Sequence, residues 1–372
     1  MIVGILKEIK SAENRVSMTP SGVEMMKMNG HTVLVEAEAG VGSGFEDEDY
    51  RASGAEMVDK PEEIYRRSDM VMHVKEPQPS EYDWVREGQI VFTYFHFAPD
   101  EQLTRAFIKT KSVNIAYETV KGPDGSLPLL TPMSEVAGRM SIQEAAKYLE
   151  KPFGGRGMLL GGVTGTTPAT VVVIGGGIVG RNAALMACGL GAKVYVLDMN
   201  IYCLHHLTEI MPKNCFPLMS SPSLLRELVK DADVVIGAVL VAGAKAPKLL
   251  TREMLKTMKK GAVIVDVAID QGGCFETSHP TTHSDPTFVV DDVIHYCVAN
   301  MPGAVPVTST MALTNATLPY ALAIANKGWK QAALDDPGLM AGLNIIEGKV
   351  TCEGVANAFD LECIPVDMLL GS

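Results

Sequence analysis

Paired cysteine spacing is missing from this chain. Its seven cysteines, Cys188, Cys203, Cys215, Cys274, Cys297, Cys352 and Cys363, are scattered, odd in number and free of any C-x-x-C. Neither a disulfide framework nor a zinc site is expected, and most of these thiols should be reduced and buried. Basic charge is also short. Thirty-two Lys and Arg against 44 Asp and Glu give a net charge of −12, which argues against nucleic acid and anionic membrane surfaces as partners. No apolar run approaches the ~18 residues of a membrane span. The longest, 234–244, contains Gly237 and Gly243 and reads as a buried strand plus a turn. The N-terminal residues open on a strand pattern without a basic leader or a small-residue cleavage site, so a cytoplasmic location is expected. Repeats and low-complexity tracts are absent as well.

What is present is a globular composition, 47% hydrophobic and 20% charged over 372 residues, long enough for two domains with separate cores. Strand-like and helix-like patterns alternate almost throughout, which predicts α/β layers with largely parallel sheets. Strands are expected at 2–6, 33–35, 70–74, 90–95, 112–117, 171–174, 194–198, 215–218, 234–238, 263–267 and 294–298. Thr19-Pro20 and Thr131-Pro132 are helix starts, a capping hydroxyl followed by proline at the first helical position. The methionines at 25, 26 and 28 have helical spacing and suit adaptable packing better than any cofactor role. A helix over about 135–150 and another over about 307–328 bracket a central unit. The C-terminal segment is therefore expected to return to the N-terminal domain, giving 1–130 with 307–372, and 131–306 between them.

The central unit carries the most specific motif. Val171-Val-Val-Ile174 leads into Gly175-x-Gly177-x-x-Gly180, a helix-compatible segment follows, and a second apolar run ends in Asp198. That order suits a dinucleotide pyrophosphate: one glycine for the tight turn, one for close backbone approach, one for helix–strand packing. The helix N-terminus supplies unpaired N–H groups and partial positive charge. Asp198 can accept hydrogen bonds from the adenosine ribose hydroxyls, and its charge repels a 2′-phosphate. No Arg follows in Met199-Asn-Ile-Tyr202, so NAD is expected rather than NADP.

Four further residues stand near expected strand ends, where such sheets gather their chemistry. Arg15, in the polar loop 8–15, could hold a carboxylate through two parallel hydrogen bonds, although composition alone favours a solvated surface residue. Lys75 closes an apolar strand just before Pro77. His96 lies in the aromatic stretch Phe92-Thr-Tyr-Phe-His-Phe97, either as a general acid/base or as a satisfied core histidine. Asp270 ends a buried strand before Gly272-Gly273, where it could equally be a turn residue. No histidine pairs with an acid at metal-binding spacing, and no metal is expected.

These blocks together resemble the alanine dehydrogenase and transhydrogenase N-terminal-domain family. The resemblance runs through Arg15-Val-Ser-Met-Thr-Pro20, Val74-Lys-Glu-Pro77, Ala116-Tyr-Glu-Thr119, Pro132-Met-Ser-Glu-Val-Ala-Gly138, the glycine fingerprint, Asp266-Val-Ala-Ile-Asp-Gln-Gly-Gly-Cys274 and Val298-Ala-Asn-Met-Pro302. It implies two Rossmann-like α/β domains, the NAD domain inserted into a discontinuous substrate domain. It also implies reversible oxidative deamination of L-alanine to pyruvate and ammonium with NAD, and assembly as a homo-hexamer. By position, Arg15 and Lys75 resemble the substrate-binding pair, and His96 the proton donor and acceptor. Asp270 resembles the residue orienting water or ammonia. Besides Gly175, Gly177, Gly180 and Asp198, the cofactor positions implied are Ser134, Ile178, Val179, Ser220, Val239, Leu240, Val267, Ala268, Ile269, Asp270, Val298, Ala299, Asn300 and Met301. Cys203 departs from the family, which often carries a basic residue there, so NAD would be held differently or less tightly.

Two other readings remain. An NAD-binding transhydrogenase subunit would share the fold but need no amino-acid site. Lys75, in Val-Lys-Glu-Pro rather than a Val-Gln-Arg-Pro block, and Asp270 argue against it. A different small 2-oxo or 2-amino acid would keep the chemistry and change only the pocket.

Overall fold

The computed structural model describes residues 1–239 and 246–371. Contacts divide the chain into two compact units, Met1–Met133 with Val305–Ser372, and Ser134–Ala304. Each is built on a mainly parallel sheet.

In the first unit, β1 (Ile2–Ile5), β2 (Thr32–Glu36), β3 (Glu56–Val58), β4 (Met70–Met72), β5 (Ile90–Thr93) and β6 (Val113–Ala116) pair in the order 6-5-4-1-2-3, all parallel. A C-terminal hairpin, Leu343–Ile346 and Lys349–Val350, adds antiparallel to β6. The central strands are apolar at nearly every position because both faces are covered. One face packs Leu34, Val71, Val91 and Phe95 against Phe107 of the helix Glu101–Thr110 and against Val355 of the C-terminal segment. Each such fully buried side chain stabilises by roughly 1.5–3 kcal/mol. The helix Pro20–Met28 starts as its sequence requires: Gly22 N donates to Thr19 Oγ1 at 3.3 Å, and Pro20 occupies the first helical position.

In the second unit the sheet contains β7 (Thr170–Ile174), β8 (Lys193–Asp198), β9 (Cys215–Met219), β10 (Val234–Gly237), β11 (Val263–Asp266), β12 (Thr287–Val290) and β13 (Val293–Tyr296). Among the described residues their order is 12-13-11-10-7-8-9, with only β12 antiparallel. The order reverses direction at β7, the kind of switch point beside which ligands bind in open α/β sheets. All seven cysteines are free; Cys188, Cys215, Cys274 and Cys297 are buried and the other three half-buried. Among the described residues no helix is long and apolar enough to cross a membrane.

Candidate functional site

The first unit brings three of the candidate residues to adjacent strand ends. Arg15 lies in the loop after β1, Lys75 follows β4 and His96 follows β5, and these strands are neighbours in the order 5-4-1. Arg15 is not a solvated surface residue. It is 2% exposed, and its Nε and NH2 donate to Glu13 Oε1 and Oε2 at 2.6 and 2.5 Å. NH1 points to Met133 Sδ at 3.0 Å. Burial alone would lower the Arg15 pKa, but the hydrogen bonds and charge of Glu13 outweigh it and hold the guanidinium above its ordinary value. A bidentate buried pair keeps the guanidinium plane fixed, which is what recognition of a planar carboxylate needs.

Lys75 is half-buried, and both of its peptide groups are held. Its N–H donates to Glu8 Oε2 at 3.3 Å, and its carbonyl accepts from Thr93 Oγ1 at 2.8 Å. Glu8 Oε1 also accepts from Val74 N at 2.6 Å and from His73 Nδ1 at 3.2 Å. His73 Nε2 meets Tyr65 Oη at 2.9 Å, and Tyr65 in turn donates to Glu81 Oε1 at 3.3 Å. Burial would lower the His73 pKa, but Glu8 and Glu81 outweigh it and raise it to about 9. A histidine raised from 6.5 to about 9 contributes stability that is complete below pH 6.5 and lost as pH rises through 9. Thermal unfolding should therefore show Tm falling across that interval, with the slope reduced in His73→Gln. An equal slope in the variant would remove this linkage.

His96 is not a core histidine; its side chain is 45% exposed. Its φ of 52° is in the left-handed region, a strained choice for a residue other than glycine. Glu118 compensates by accepting from His96 N at 2.6 Å and Phe95 N at 3.3 Å. The imidazole stacks on Tyr94, with centroids 5.9 Å apart and planes at 7°. The Tyr94 hydroxyl is tied to the Leu129 carbonyl at 2.5 Å. The result is a histidine with a fixed backbone and an open ring.

Asp270 belongs to the other unit. It is exposed in the 3-10 turn Val267–Gln271 that follows β11. The buried Asp266 anchors the loop beyond it, accepting from Cys274 N at 2.9 Å and Phe275 N at 3.2 Å. The expected cofactor positions follow one topological rule. Gly175 follows β7, Asp198 closes β8, Ser220 follows β9, Val239 comes after β10, Val267, Ala268 and Ile269 follow β11, and Val298, Ala299, Asn300 and Met301 come after β13. All lie at carboxyl ends of parallel strands. Ser134 sits half-buried in the helix Thr131–Tyr148, and Leu240 lies outside the described residues.

The glycine turn fits a dinucleotide on its own geometry. Gly175 has φ 102°, and a Cβ there would lie 2.7 Å from the Ala238 carbonyl oxygen. At Gly180 a Cβ would stand 1.8 Å from Gly175 O, so only glycine allows the helix Ile178–Gly189 to pack on the turn. Among the described residues a Cβ at Gly177 would meet nothing within 4 Å, and the residue is exposed at the helix N-terminus, with Ile178 and Val179 half-buried behind it. Asp198 Oδ2 accepts from Gly176 N and Oδ1 from Asn200 N, both at 2.7 Å, which fixes the carboxylate beside that turn. Cys203 donates its thiol to Gly176 O at 3.2 Å, so the same residue is held through both its N–H and its carbonyl. Burial, with Asp198 adding to it, pushes the Cys203 thiol pKa up. Among the described residues no group of three or more His, Cys, Asp or Glu could hold a metal ion.

Glu8, Glu13, His73, Glu118 and Asp266 do not stand out in the sequence as site residues. Two weak signals exist: an acid two positions before Arg15, and the acid within Ala116-Tyr-Glu-Thr119.

A Rossmann-type nucleotide-binding unit, with a second α/β unit presenting a buried arginine, a lysine and an exposed histidine, defines the class. Models described as alanine dehydrogenase/PNT, N-terminal domain and C-terminal domain, match residues 4–137 and 141–353. The chain is 55% identical to an alanine dehydrogenase of Methanococcus maripaludis over 371 residues, 100% of both chains. A solved L-alanine dehydrogenase superposes with a TM-score of 0.94 at 48% identity, over 97% of this chain and 99% of that one. A transhydrogenase of Sinorhizobium meliloti shares the fold, with a TM-score of 0.80 at 23% identity over 95% and 99% of the two chains. The chain belongs to the alanine dehydrogenase/PNT family.

Proposed function

We propose that this protein is an alanine dehydrogenase, an oxidoreductase that reversibly converts L-alanine and NAD to pyruvate, ammonium and NADH. The observation that carries this reading is the likeness to alanine dehydrogenases along the whole chain, at 55% identity. Bound NAD would supply a hydride acceptor for the alanine Cα. Gly175 shapes the turn, Gly180 seats the helix against it, Gly177 leaves room for the pyrophosphate, and Asp198 receives the ribose hydroxyls.

The remaining chemistry falls to side chains of the chain itself. Arg15 binds the substrate carboxylate. Lys75 binds beside it and polarises the carbonyl of pyruvate. After hydride loss the substrate is an iminium, which water must attack and ammonia must leave. His96 takes the proton from that water and returns it to the departing nitrogen, and Asp270 orients the attacking molecule. One imidazole and one carboxylate suffice for these transfers. The seven free thiols suit a reducing cytoplasm. Assembly as a homo-hexamer is part of the same reading, checked by a native mass six times the 39.9 kDa chain.

Oxidation of NADH should require pyruvate and ammonium together, followed as loss of nicotinamide absorbance. Turnover with pyruvate alone would mean a different reaction, and a panel of 2-oxo acids under the same conditions sizes the substrate pocket.

A further inference from the structure

We propose that Glu8 and His73 are positioning residues for Lys75, fixing the peptide that carries it relative to the loop that carries Arg15. The inference rests on Lys75 binding substrate, as read above. Glu8 opens the loop 8–15, and its carboxylate crosses to the end of β4, where it accepts both Val74 N–H and Lys75 N–H, at 2.6 and 3.3 Å. A second tie runs the same way, from Lys10 to Glu76. Glu13 and Arg15, at the far end of the loop, form the buried pair that would face the substrate carboxylate. The segments that carry the two substrate-binding cations are thus tied together by Glu8 as well as by the pairing of β1 and β4.

That carboxylate is buried, its side chain only 3% exposed, and a buried charge is tolerated only when it is paired and hydrogen-bonded. His73, 2% exposed and 3.2 Å from Glu8 Oε1, is the counter-charge that pairs with it. The raised pKa of His73 is what such a role requires. Glu81, on the other side of the ring at 3.5 Å, supports His73 and accepts from Gln78 N–H and the Tyr65 hydroxyl, not from the Lys75 peptide. Neither Glu8 nor His73 needs to touch substrate for this.

Steady-state kinetics of the full-length protein with NADH, ammonium and pyruvate, alongside NADH affinity by fluorescence, test the assignment. His73→Gln and Glu8→Gln should each raise the pyruvate KM about tenfold or more, the cost of losing about 1.4 kcal/mol of substrate binding, with kcat reduced less and NADH affinity within about twofold of the parent. His73→Lys, which restores a cation between the two carboxylates, should recover most of the lost KM. Glu81→Gln should have a clearly smaller effect than Glu8→Gln. An unchanged KM in His73→Gln, no recovery in His73→Lys, or equal effects of the two glutamate variants would overturn the inference. If His73→Gln does not fold, the comparison of Glu8→Gln with Glu81→Gln decides alone. Lys75→Ala separates the two levels. If it keeps parental kinetics, the substrate role of Lys75 falls and the inference with it. If it is impaired while Glu8→Gln and His73→Gln are not, only the positioning role falls.

Discussion

Replacing His96 by Ala should lower kcat for pyruvate amination by about 10²-fold or more, the usual scale for a general acid/base, and leave NADH affinity nearly unchanged. The expectation follows from how the residue is held. Its ring is exposed and stacked on Tyr94, while its backbone is locked by Glu118 at a φ of 52°. Nothing in the core depends on the imidazole, so its removal costs little packing. Alanine is rarer than histidine at a left-handed φ, so it adds some strain to what histidine already bears and lowers stability independently of the chemistry. His96→Asn resolves this, since asparagine tolerates that conformation better than alanine and has no imidazole to carry the proton. The two variants should therefore lose kcat alike and differ only in Tm. Near-normal turnover in His96→Asn would remove the proton-transfer role.

The positions of these residues are legible in the amino-acid pattern, but their support is not. β1, β4, β5, β7, β10 and β11 stand out because a parallel strand buried on both faces must be almost continuously apolar. The strand ends that carry Arg15, Lys75, His96 and Asp270 follow directly. What the sequence hides is short, marginal or paired over long distances. β3 has only Glu-Met-Val, and β12 exposes Val289 at 65% on a sheet edge. The hairpin 343–350 turns through Glu347 and Gly348, both at positive φ, without the Asn-Gly or Asp-Gly pair that usually marks such a turn. Glu8 and His73 are 65 residues apart and meet only because β1 and β4 are neighbours. Glu118 reaches back 22 residues to His96 because β5 and β6 pair. Periodicity reports the face a residue occupies in its own element, and it carries no signal for such a partner.

The sharpest separation of fold from cofactor binding is expected at two glycines three residues apart. Gly180→Ala would force a methyl to 1.8 Å from the Gly175 carbonyl oxygen, against backbone that cannot yield without opening the turn. It should lower Tm and abolish measurable NADH binding together, a loss of about 100-fold or more in affinity corresponding to about 2.8 kcal/mol. Gly177→Ala is different in kind. Its φ of −64° is ordinary for any residue, and the new methyl would touch no atom of the described residues within 4 Å. Exposed at the N-terminus of the helix, it would occupy the space through which a pyrophosphate must approach the backbone N–H groups. Gly177→Ala should therefore melt close to the parent while still losing about tenfold or more in NADH affinity. Calorimetry and fluorescence titration of the two variants read both quantities. Retained NADH affinity in Gly177→Ala would mean that this turn does not face the phosphates. Parental stability in Gly180→Ala would mean that the helix can move off the strand. The proposed pattern requires one glycine for the fold and the ligand, and the other for the ligand alone.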